Sequence, residues 1–513
     1  MNLVKTSARL VGHVKLQKIV LIFLANNEVA GSRRLLSQAL KDGLSEKAIL
    51  MRLEQAFLGR YNAKGFGDKD FDIAILALRL GGQALLYSLS KSPGFPGVSP
   101  VYKRLRDRSV GLVLCASLEK DRLELAVKVN LEPITPLFDG TKRVFILQMD
   151  EVAVEQRARY DREHDENLGL CVQDTPSEYT KFGGVANLER IGKMLSREDG
   201  GIHMGKECSV ISISALGEKT HHAFPVVVFS SCKKPNPDQQ EFVLTTIQTT
   251  WKMLGFGDHF GPILILASDG DATRRRSLHQ RTSATLPEGQ GSLNGCGLLD
   301  QHTDIHGAMQ CYDFKHNVKR VRTRYSTQMG QKISRHGLTL NRDTLTELFR
   351  VHDGDATATY QGFFNPDDKQ SVPCATKLLK KVVAAAKPDD RSNLELKRRP
   401  ALLALHNDLL RLLAPLFDPK KDIAALLRGL SCVAHLQLIL YRAHRTAFMP
   451  GQLYHDSQAT IRGIFYAIAQ AKVHCPAEPM FVWKIGTDGL ENLFAMARTL
   501  THSSNFDMKE LGD

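Results

Sequence analysis

Two apolar runs in this chain end in an acidic residue. Val144-Phe145-Ile146-Leu147 leads through Gln148 and Met149 to Asp150, and Pro262 to Ala267 leads through Ser268 to Asp269. An ionised carboxylate at the end of a buried strand is costly unless it is paired or holds a metal. Converging carboxylates suit Mg²⁺ or Mn²⁺, hard ions that take oxygen ligands. Such a site activates the attacking oxygen and stabilises the leaving oxygen of a phosphodiester. The alternative is that both acids cap junctions, since Asp269-Gly270 is a good turn. A third acid is available in Glu491, three residues after Asp488. That pair also reads as a capping box, with Asp488 at the N-cap. Leu490, Leu493, Phe494 and Ala497 define the apolar stripe beside Glu491.

Basic residues follow the second and precede the third acid. Arg274 and Arg275, with Arg276, come just after Asp269, and Lys315, Lys319, Arg320, Arg322 and Arg324 form a denser stripe. Each reads either as a set of phosphate contacts or as a solvated helix face. The whole chain has 513 residues, with Lys+Arg 68 against Asp+Glu 55 and a formal charge of +13. That balance favours a polyanionic partner. The nine cysteines are so widely spaced that no C-x-x-C occurs, so no zinc finger or ribbon is read and no zinc is expected. Odd count and wide spacing fit reduced thiols. No apolar stretch reaches the roughly 18 residues a membrane helix needs, so no membrane partner is expected. Gly200 to Glu207 matches G-x-x-x-x-G-K, but Glu207 replaces the Mg²⁺-ligating Ser/Thr and the segment precedes a strand, so no ATP site is read.

The elements that would position these residues change character along the chain. Ser32 to Asp42, Ser45 to Leu58, Phe71 to Leu80 and Gln83 to Leu89 read as short helices, followed by the basic run Lys103 to Arg108. They suggest a helix-turn-helix-like region or a plain helical bundle. From Arg143 the pattern turns to strands: Arg143 to Asp150, a paired second strand over Val152 to Tyr160, Ser209 to Leu216, and Phe224 to Phe229. A helix capped by Asp238 follows over Pro237 to Leu254, then the strand Pro262 to Ala267 and a helix from Thr273 to Gln280. Thr282 to Gly297 reads as a loop, Met309 to Tyr312 as a short strand, and Asp313 as the start of a basic helix. Beyond Arg342 the pattern is helical, including Leu345 to Val351, Val372 to Ala386, Pro400 to Leu413, Asp422 to Arg442 and Tyr454 to Ala471. A closing helix runs from Thr487 to Leu500.

Met149-Asp150-Glu151-Val152 with Glu155-Gln156-Arg157-Ala158-Arg159-Tyr160-Asp161 resembles the first catalytic block of P-element-type transposases, the family that includes the THAP-domain transposases. Ala267-Ser268-Asp269-Gly270-Asp271-Ala272-Thr273-Arg274 resembles their second block. Asp313 to Arg322 resembles their D-x-x-H-x-x-K-x-x-R segment, with His316 as its histidine, and Asn365 to Val372 resembles a later segment. Thr487 to Phe494, with Arg498, resembles the terminal L-E-N-x-F block. The blocks stand in family order from Val144 to Leu500, and the whole chain also resembles fungal proteins of transposon descent.

This resemblance implies an α/β RNase H-like core, a mixed sheet with helices, interrupted by a large all-α insertion and preceded by a small N-terminal helical domain. The implied division is 1–108 for the N-terminal helix-turn-helix-like region, 109–335 for the first part of the core, 336–480 for the insertion, and 481–513 for the return with the last catalytic helix. It implies a DDE triad at Asp150, Asp269 and Glu491 that holds Mg²⁺ or Mn²⁺ and performs DNA strand cleavage and transfer. Arg274, Arg275, Lys315, His316, Lys319 and Arg322 would then contact nucleic acid. DNA is the implied partner, a homo-oligomer is compatible, and the nucleus is the implied location. A mitochondrial presequence is the alternative, because the first 27 residues carry Lys5, Arg9, Lys15 and Lys18 and no acid. The family's amino-terminal zinc finger spacing is absent, and so is an N-K-x-D motif, so GTP is not carried over. The rival reading is a catalytically silent, transposon-derived DNA-binding or scaffold protein.

Overall fold

The computed structural model describes residues 32–57, 66–91, 95–108, 111–137, 141–196, 201–217, 222–232, 236–285, 301–333, 339–353, 362–385, 422–500 and 505–512, with positions 11, 14, 18 and 293. All but three of the basic first 27 residues, the Pro400 to Leu413 helix and most of the Thr282 to Gly297 loop lie outside the described residues. The chain divides into two compact units. One is Met1–Gly111 with Met496–Phe506 and Asp513; the other is Leu112–Ala495 with Asp507–Gly512. The second contains both the segment read from sequence as core and the segment read as insertion.

The first unit contains α1 (Ser32–Lys41), α2 (Glu46–Phe57), α3 (Asp68–Ser90) and α4 (Val98–Arg108). Leu35, Leu53 and Ala56 join α1 to α2, and Ala74, Leu78, Leu86 and Val101 join α3 to α4. The two helices read from sequence over Phe71 to Leu80 and Gln83 to Leu89 meet inside α3 at a kink, where Gly82 takes φ +69°.

In the second unit, α5 (Lys120–Leu131) precedes the first strand, β1 (Phe145–Ala153). The ribbon β2 (Arg159–Asp161) and β3 (Glu166–Leu168) and the helix α6 (Val185–Leu195) follow before the chain returns as β4 (Glu207–Ala215) and β5 (Phe224–Ser231). Then come α7 (Pro237–Met253), the short α8 (Phe256–His259), β6 (Ile263–Ser268), α9 (Ala272–Arg281), the ribbon β7 (Ala284–Thr285) and β8 (His302–Thr303), β9 (Met309–Tyr312) and α10 (Phe314–Ser326). The main sheet has the order β5-β4-β1-β6-β9. Its first three strands are antiparallel and its last three parallel.

Two expectations are corrected here. The strand expected to pair with the first over Val152 to Tyr160 splits: Val152 belongs to β1, and Arg159–Asp161 pairs only with β3 in a separate ribbon. The β1 run continues because its partner β4 extends as far as Glu207, opposite Ala153. The cap of α7 is Asn236, whose side chain accepts from the Asp238 amide; Asp238 sits in the first turn.

The continuous apolar character of β1 follows from burial on both faces. Phe145, Leu147 and Met149 face a core shared with Leu123, Val127, Val243 and Ile247 of α5 and α7. Val144 and Ile146 face the opposite core. That second core is closed by the helices late in the chain. After β10 (Gln331–Lys332) and β11 (Thr339–Leu340) come α11 (Arg342–Asp353), α12 (Val372–Ala385), α13 (Ile423–His444) and α14 (Gly451–His474). Ile461, Ile464 and Ala467 of α14 and Leu426, Leu430 and Val433 of α13 pack with Ile146, Ile265 and Met309. The described elements between Arg342 and His474 are thus helical, and the last of them lies directly on the sheet. The chain then passes through a 3-10 turn into α15 (Asp488–Leu500) and ends with α16 (Met508–Gly512).

Two helices, Asp68–Ser90 and Ile423–Ala447, are long and apolar enough to cross a membrane, which corrects the expectation that none would be. Isolated Gly, Ser and Arg residues interrupt the apolar runs but weigh little in an average over a whole helix. The second of these helices buries Leu426, Leu430, Val433 and Ala434 in the core, as core helices of globular proteins do.

Asn130, on α5, ties that helix to the sheet edge. Its side chain accepts from the Val113 amide at 2.8 Å and donates to the carbonyls of Val113 and Val226 at 3.0 and 2.9 Å. Asn130→Ala strands these buried groups, so urea unfolding should show a loss of roughly 2–4 kcal/mol. A loss below about 0.5 kcal/mol would mean that this edge is not held by the bond set.

Candidate carboxylate site at the sheet end

The register of the parallel strands lines up three acids. Met149 pairs with Ser268, and Ser268 with Tyr312. The next residue on each strand is Asp150, Asp269 and Asp313. A row of carboxylates therefore crosses the sheet where the parallel pairing of β1 ends and just beyond the ends of β6 and β9. The Asp313 amide donates to the Ser268 carbonyl at 2.9 Å, extending the pairing one step.

Each acid is fixed by a different local device. Asp269 accepts from the Asp271 amide at 3.0 Å, and Asp271 caps α9 by accepting from Thr273 and Arg274 amides. The turn needs Gly270, which takes φ +79°; a Cβ there would fall 3.1 Å from both Arg275 Nη2 and Asp456 Oδ2. Asp313 is the N-cap of α10 and is fully buried. Its Oδ2 accepts from the His316 amide at 3.0 Å and meets His316 Nδ1 at 2.7 Å. Burial raises the Asp313 carboxyl, but the His316 bond and charge outweigh it and hold the acid below its usual range. Burial lowers His316, and the Asp313 partner outweighs it and raises the imidazole above its usual range.

Glu491 reaches the row from α15. The amides of Leu490 and Glu491 donate to the Thr487 carbonyl, and Asp488 opens the helix instead of capping it, paired with Lys315. Two glycines let this helix start lie against the sheet end. A Cβ on Gly489 would fall 2.5 Å from Gln148 Oε1, and one on Gly486 would fall 2.7 Å from Asp313 Oδ1. Gln148 in turn donates to the Gly486 carbonyl at 2.8 Å. Partial burial and repulsion from Asp313 and Asp488 raise Glu491 above the usual carboxylate range, although its side chain stays at the surface.

Asp150 is the most perturbed acid, pushed up to about 7. Burial is the main cause; Arg274 and His316 oppose it, while Asp269 and Glu491 add repulsion. The other two acids expected from sequence, Asp269 and Glu491, therefore both act on Asp150. The ion beside them is Arg274, only 2% exposed. Its Nη1 donates to the Met149 carbonyl at 2.9 Å and lies 3.3 Å from Asp269 Oδ1 and 3.8 Å from Asp150 Oδ1. Its Nη2 pairs with Glu151. Burial draws this guanidinium down to about 10 despite Asp150.

The other residues expected to contact nucleic acid have mixed placements. Arg274 and Arg322 are internal, which corrects their reading as phosphate contacts: Arg322 donates to the carbonyls of Phe363 and Asp368. Arg275 pairs with the buried Asp456 of α14 at 2.6 Å and also donates to the Gly270 carbonyl. Arg320 joins it on Asp456. Lys315 pairs with Asp488, His316 with Asp313, and Lys319 is half-buried beside His316. Arg276 alone of its run is exposed. A groove of about 670 Å³ lies nearby, lined by Arg275, Arg276, His279, Tyr312, His455 and Arg462. Sequence reading missed Glu151 as an Arg274 partner and Asp456 as an anchor; neither has a spacing signal.

No family model matches the chain, and no curated protein matches it. A solved structure does: a chain of the Drosophila P element transposase strand transfer complex, with a TM-score of 0.56 and 14% identity, over 94% of this chain and 97% of that one. The chain thus has a P-element-transposase-like fold, and its mixed sheet flanked by helices fits an RNase H-like core.

Asp150 has a direct thermodynamic signature. Its folded-state pKa lies above the ordinary 3.8, so ionisation favours the unfolded chain, and stability falls as pH rises from about 4 to about 7. Without divalent metal, Asp150→Asn should therefore be more stable than the wild type above pH about 7, by roughly 1–3 kcal/mol, and equal to it near pH about 4. Denaturant titrations across that range test this. A variant less stable at every pH would show that Arg274 depends on Asp150 more than the row suffers from it.

Proposed function

We propose that this chain is a DDE-type DNA transposase or a transposase-derived protein, with Asp150, Asp269 and Glu491 as the acids that hold divalent metal. The observation that carries the reading is the row of acids where the parallel pairing of adjacent strands ends, with Glu491 close enough to raise Asp150. The fold shared with the Drosophila transposase chain supports it.

The donor set fits Mg²⁺ or Mn²⁺: it is all oxygen, and Arg274 and His316 compensate Asp150 only in part. Metal bound there would supply activation of the attacking oxygen and stabilisation of the leaving one. The residues of the chain do the rest. Asp271, Gly270 and Asp456 fix the Asp269 turn; Gly486, Gly489 and Gln148 seat the helix that carries Glu491; Asp313 orients His316 towards the acids. Lys315, Lys319, Arg275 and the exposed Arg276 would meet DNA phosphates once metal or DNA competes for their partners. The helices α1–α4 would serve as the helix-turn-helix-like reader, the helices from Arg342 to His474 correspond to the insertion, and the protein would work on DNA in the nucleus, with self-association open.

A second reading, a silent DNA-binding or scaffold protein, is favoured by one observation. Arg274 already pairs with Asp150, Asp269 and Glu151 from inside, and an arginine in that position competes with a metal ion.

Two measurements separate the readings. Mn²⁺ binding should tighten as pH rises through about 7, because the ion competes with the Asp150 proton, by about tenfold per unit below that pH. The wild type with Mg²⁺ or Mn²⁺ should nick or join DNA, and Asp150→Asn should abolish this while salt-dependent DNA affinity survives. DNA binding without cleavage, together with pH-independent or absent Mn²⁺ binding, would hand the chain to the scaffold reading.

A further inference from the structure

A second cluster of ligand-type side chains lies apart from the carboxylate row. Cys171, Asp174, His203 and Cys232 bring one ligand atom each within 4.8 Å of all the others. They are distant in sequence, and the linear spacing that defines zinc motifs does not reveal them. Both cysteines are free of disulfides.

We propose that Cys171, Asp174, His203 and Cys232 form a structural zinc site. The distances carry this. Asp174 Oδ2 stands 3.7 Å from Cys171 Sγ, 3.6 Å from Cys232 Sγ and 3.5 Å from His203 Nε2. With zinc–sulfur bonds of about 2.3 Å and zinc–nitrogen or –oxygen bonds of about 2.0 Å, the edges of a tetrahedron run about 3.3–3.8 Å. The oxygen thus sits at tetrahedral-edge separation from all three partners at once. A direct carboxylate–imidazole hydrogen bond would be shorter, at about 2.7–2.9 Å. The donor set, two thiolates with an imidazole and a carboxylate, suits zinc.

The backbone holds the ligands in place. The Cys171 amide donates to the His203 carbonyl at 2.9 Å, and the Val172 amide to the Ser230 carbonyl at 3.1 Å, two residues before Cys232. The Gly205 amide donates to the Gly169 carbonyl at 2.9 Å, and a Cβ on Gly205 would fall 2.6 Å from Ser230 Cβ. Three chain segments are therefore stitched together around the cluster before any ligand bond forms. Cys171 is fully buried, while Asp174 and His203 keep the outer side open to incoming metal.

The position suggests what the ion does. The chain leaves the sheet after Ala153 and returns at Glu207, and the register places Ala153, Glu207 and Ser231 side by side. Cys232 follows Ser231 at that end of the sheet, which is also the end that carries Asp150. Cys171, Asp174 and His203 belong to the excursion between β1 and β4. A zinc ion there would clamp the excursion to the edge strand β5, at the same end of the sheet as Asp150 but without using the acids.

Metal content of the purified full chain should be about one zinc per chain. Cobalt substitution should give the charge-transfer bands of a tetrahedral thiolate site. Cys232→Ser and His203→Ala should lose both, whereas Cys432→Ser, at an exposed cysteine, and Asp150→Asn should keep both. If Cys232→Ser fails to fold, Asp174→Asn, at an exposed carboxylate, should still weaken zinc at least about tenfold in chelator competition. Metal-free wild-type protein, zinc retained by Cys232→Ser, or a Cys171–Cys232 disulfide in non-reducing peptide mapping would each overturn the proposal. Zinc retained by Asp150→Asn keeps this test separate from the fate of the carboxylate reading.

Discussion

Like charge confined at the end of a sheet governs this structure. Parallel pairing of β1, β6 and β9 brings Asp150, Asp269 and Asp313 into one row, and parallel strands lie about 4.8 Å apart. Three ionised carboxylates at that spacing repel, and two-sided burial removes much of the water that would screen them. The fold answers with three cations of different kinds. Arg274 reaches in from α9, His316 folds back on its own cap at Asp313, and Lys315 engages Asp488 at the head of α15. The compensation is incomplete at Asp150, and that residual imbalance is what makes the row a candidate for metal.

Positioning those cations requires the late helices. Asp456, fully buried in α14, takes both Arg275 and Arg320 and thereby braces the Gly270 turn. Thr460, one turn further along, donates to the Tyr312 carbonyl at the end of β9. The helical segment is thus part of the machinery that sets the acids. That is a physical reason for the chain to fold from Leu112 to Ala495 as one compact unit.

The sheet was largely legible in sequence because buried strands must be apolar over their whole length; Val144 to Leu147 and Ile263 to Ala267 admit little else. The acids were legible for the same reason, since a carboxylate closing such a run stands out. What stayed hidden depends on pairing across long separations. Nothing in Tyr454-His455-Asp456 marks the aspartate as the partner of Arg275, and nothing around Glu151 marks it as the partner of Arg274. Asp313 was legible only as a helix start, because its place in the row is set by the register of β9. The Cys171–Cys232 cluster escaped because its ligands are joined by sheet edges and turns, while motif spacing records only helices and tight loops.

The arginine run shows why a basic count overstates a phosphate surface. Consecutive residues on a helix point about 100° apart, so Arg274, Arg275 and Arg276 cannot share one face. The first turns inward to the acids, the second sideways to Asp456, and only the third meets solvent. On α10, Lys315, Lys319 and Arg322 do share a face by spacing, yet that face passes from the half-exposed Lys315 to the buried Arg322, which ends on backbone carbonyls. Internal pairs such as Arg281–Asp304 and Arg122–Glu166 remove one charge of each sign, so they leave the excess of +13 untouched. The excess therefore resides on residues outside these networks. A polyanion would sense it as a diffuse field.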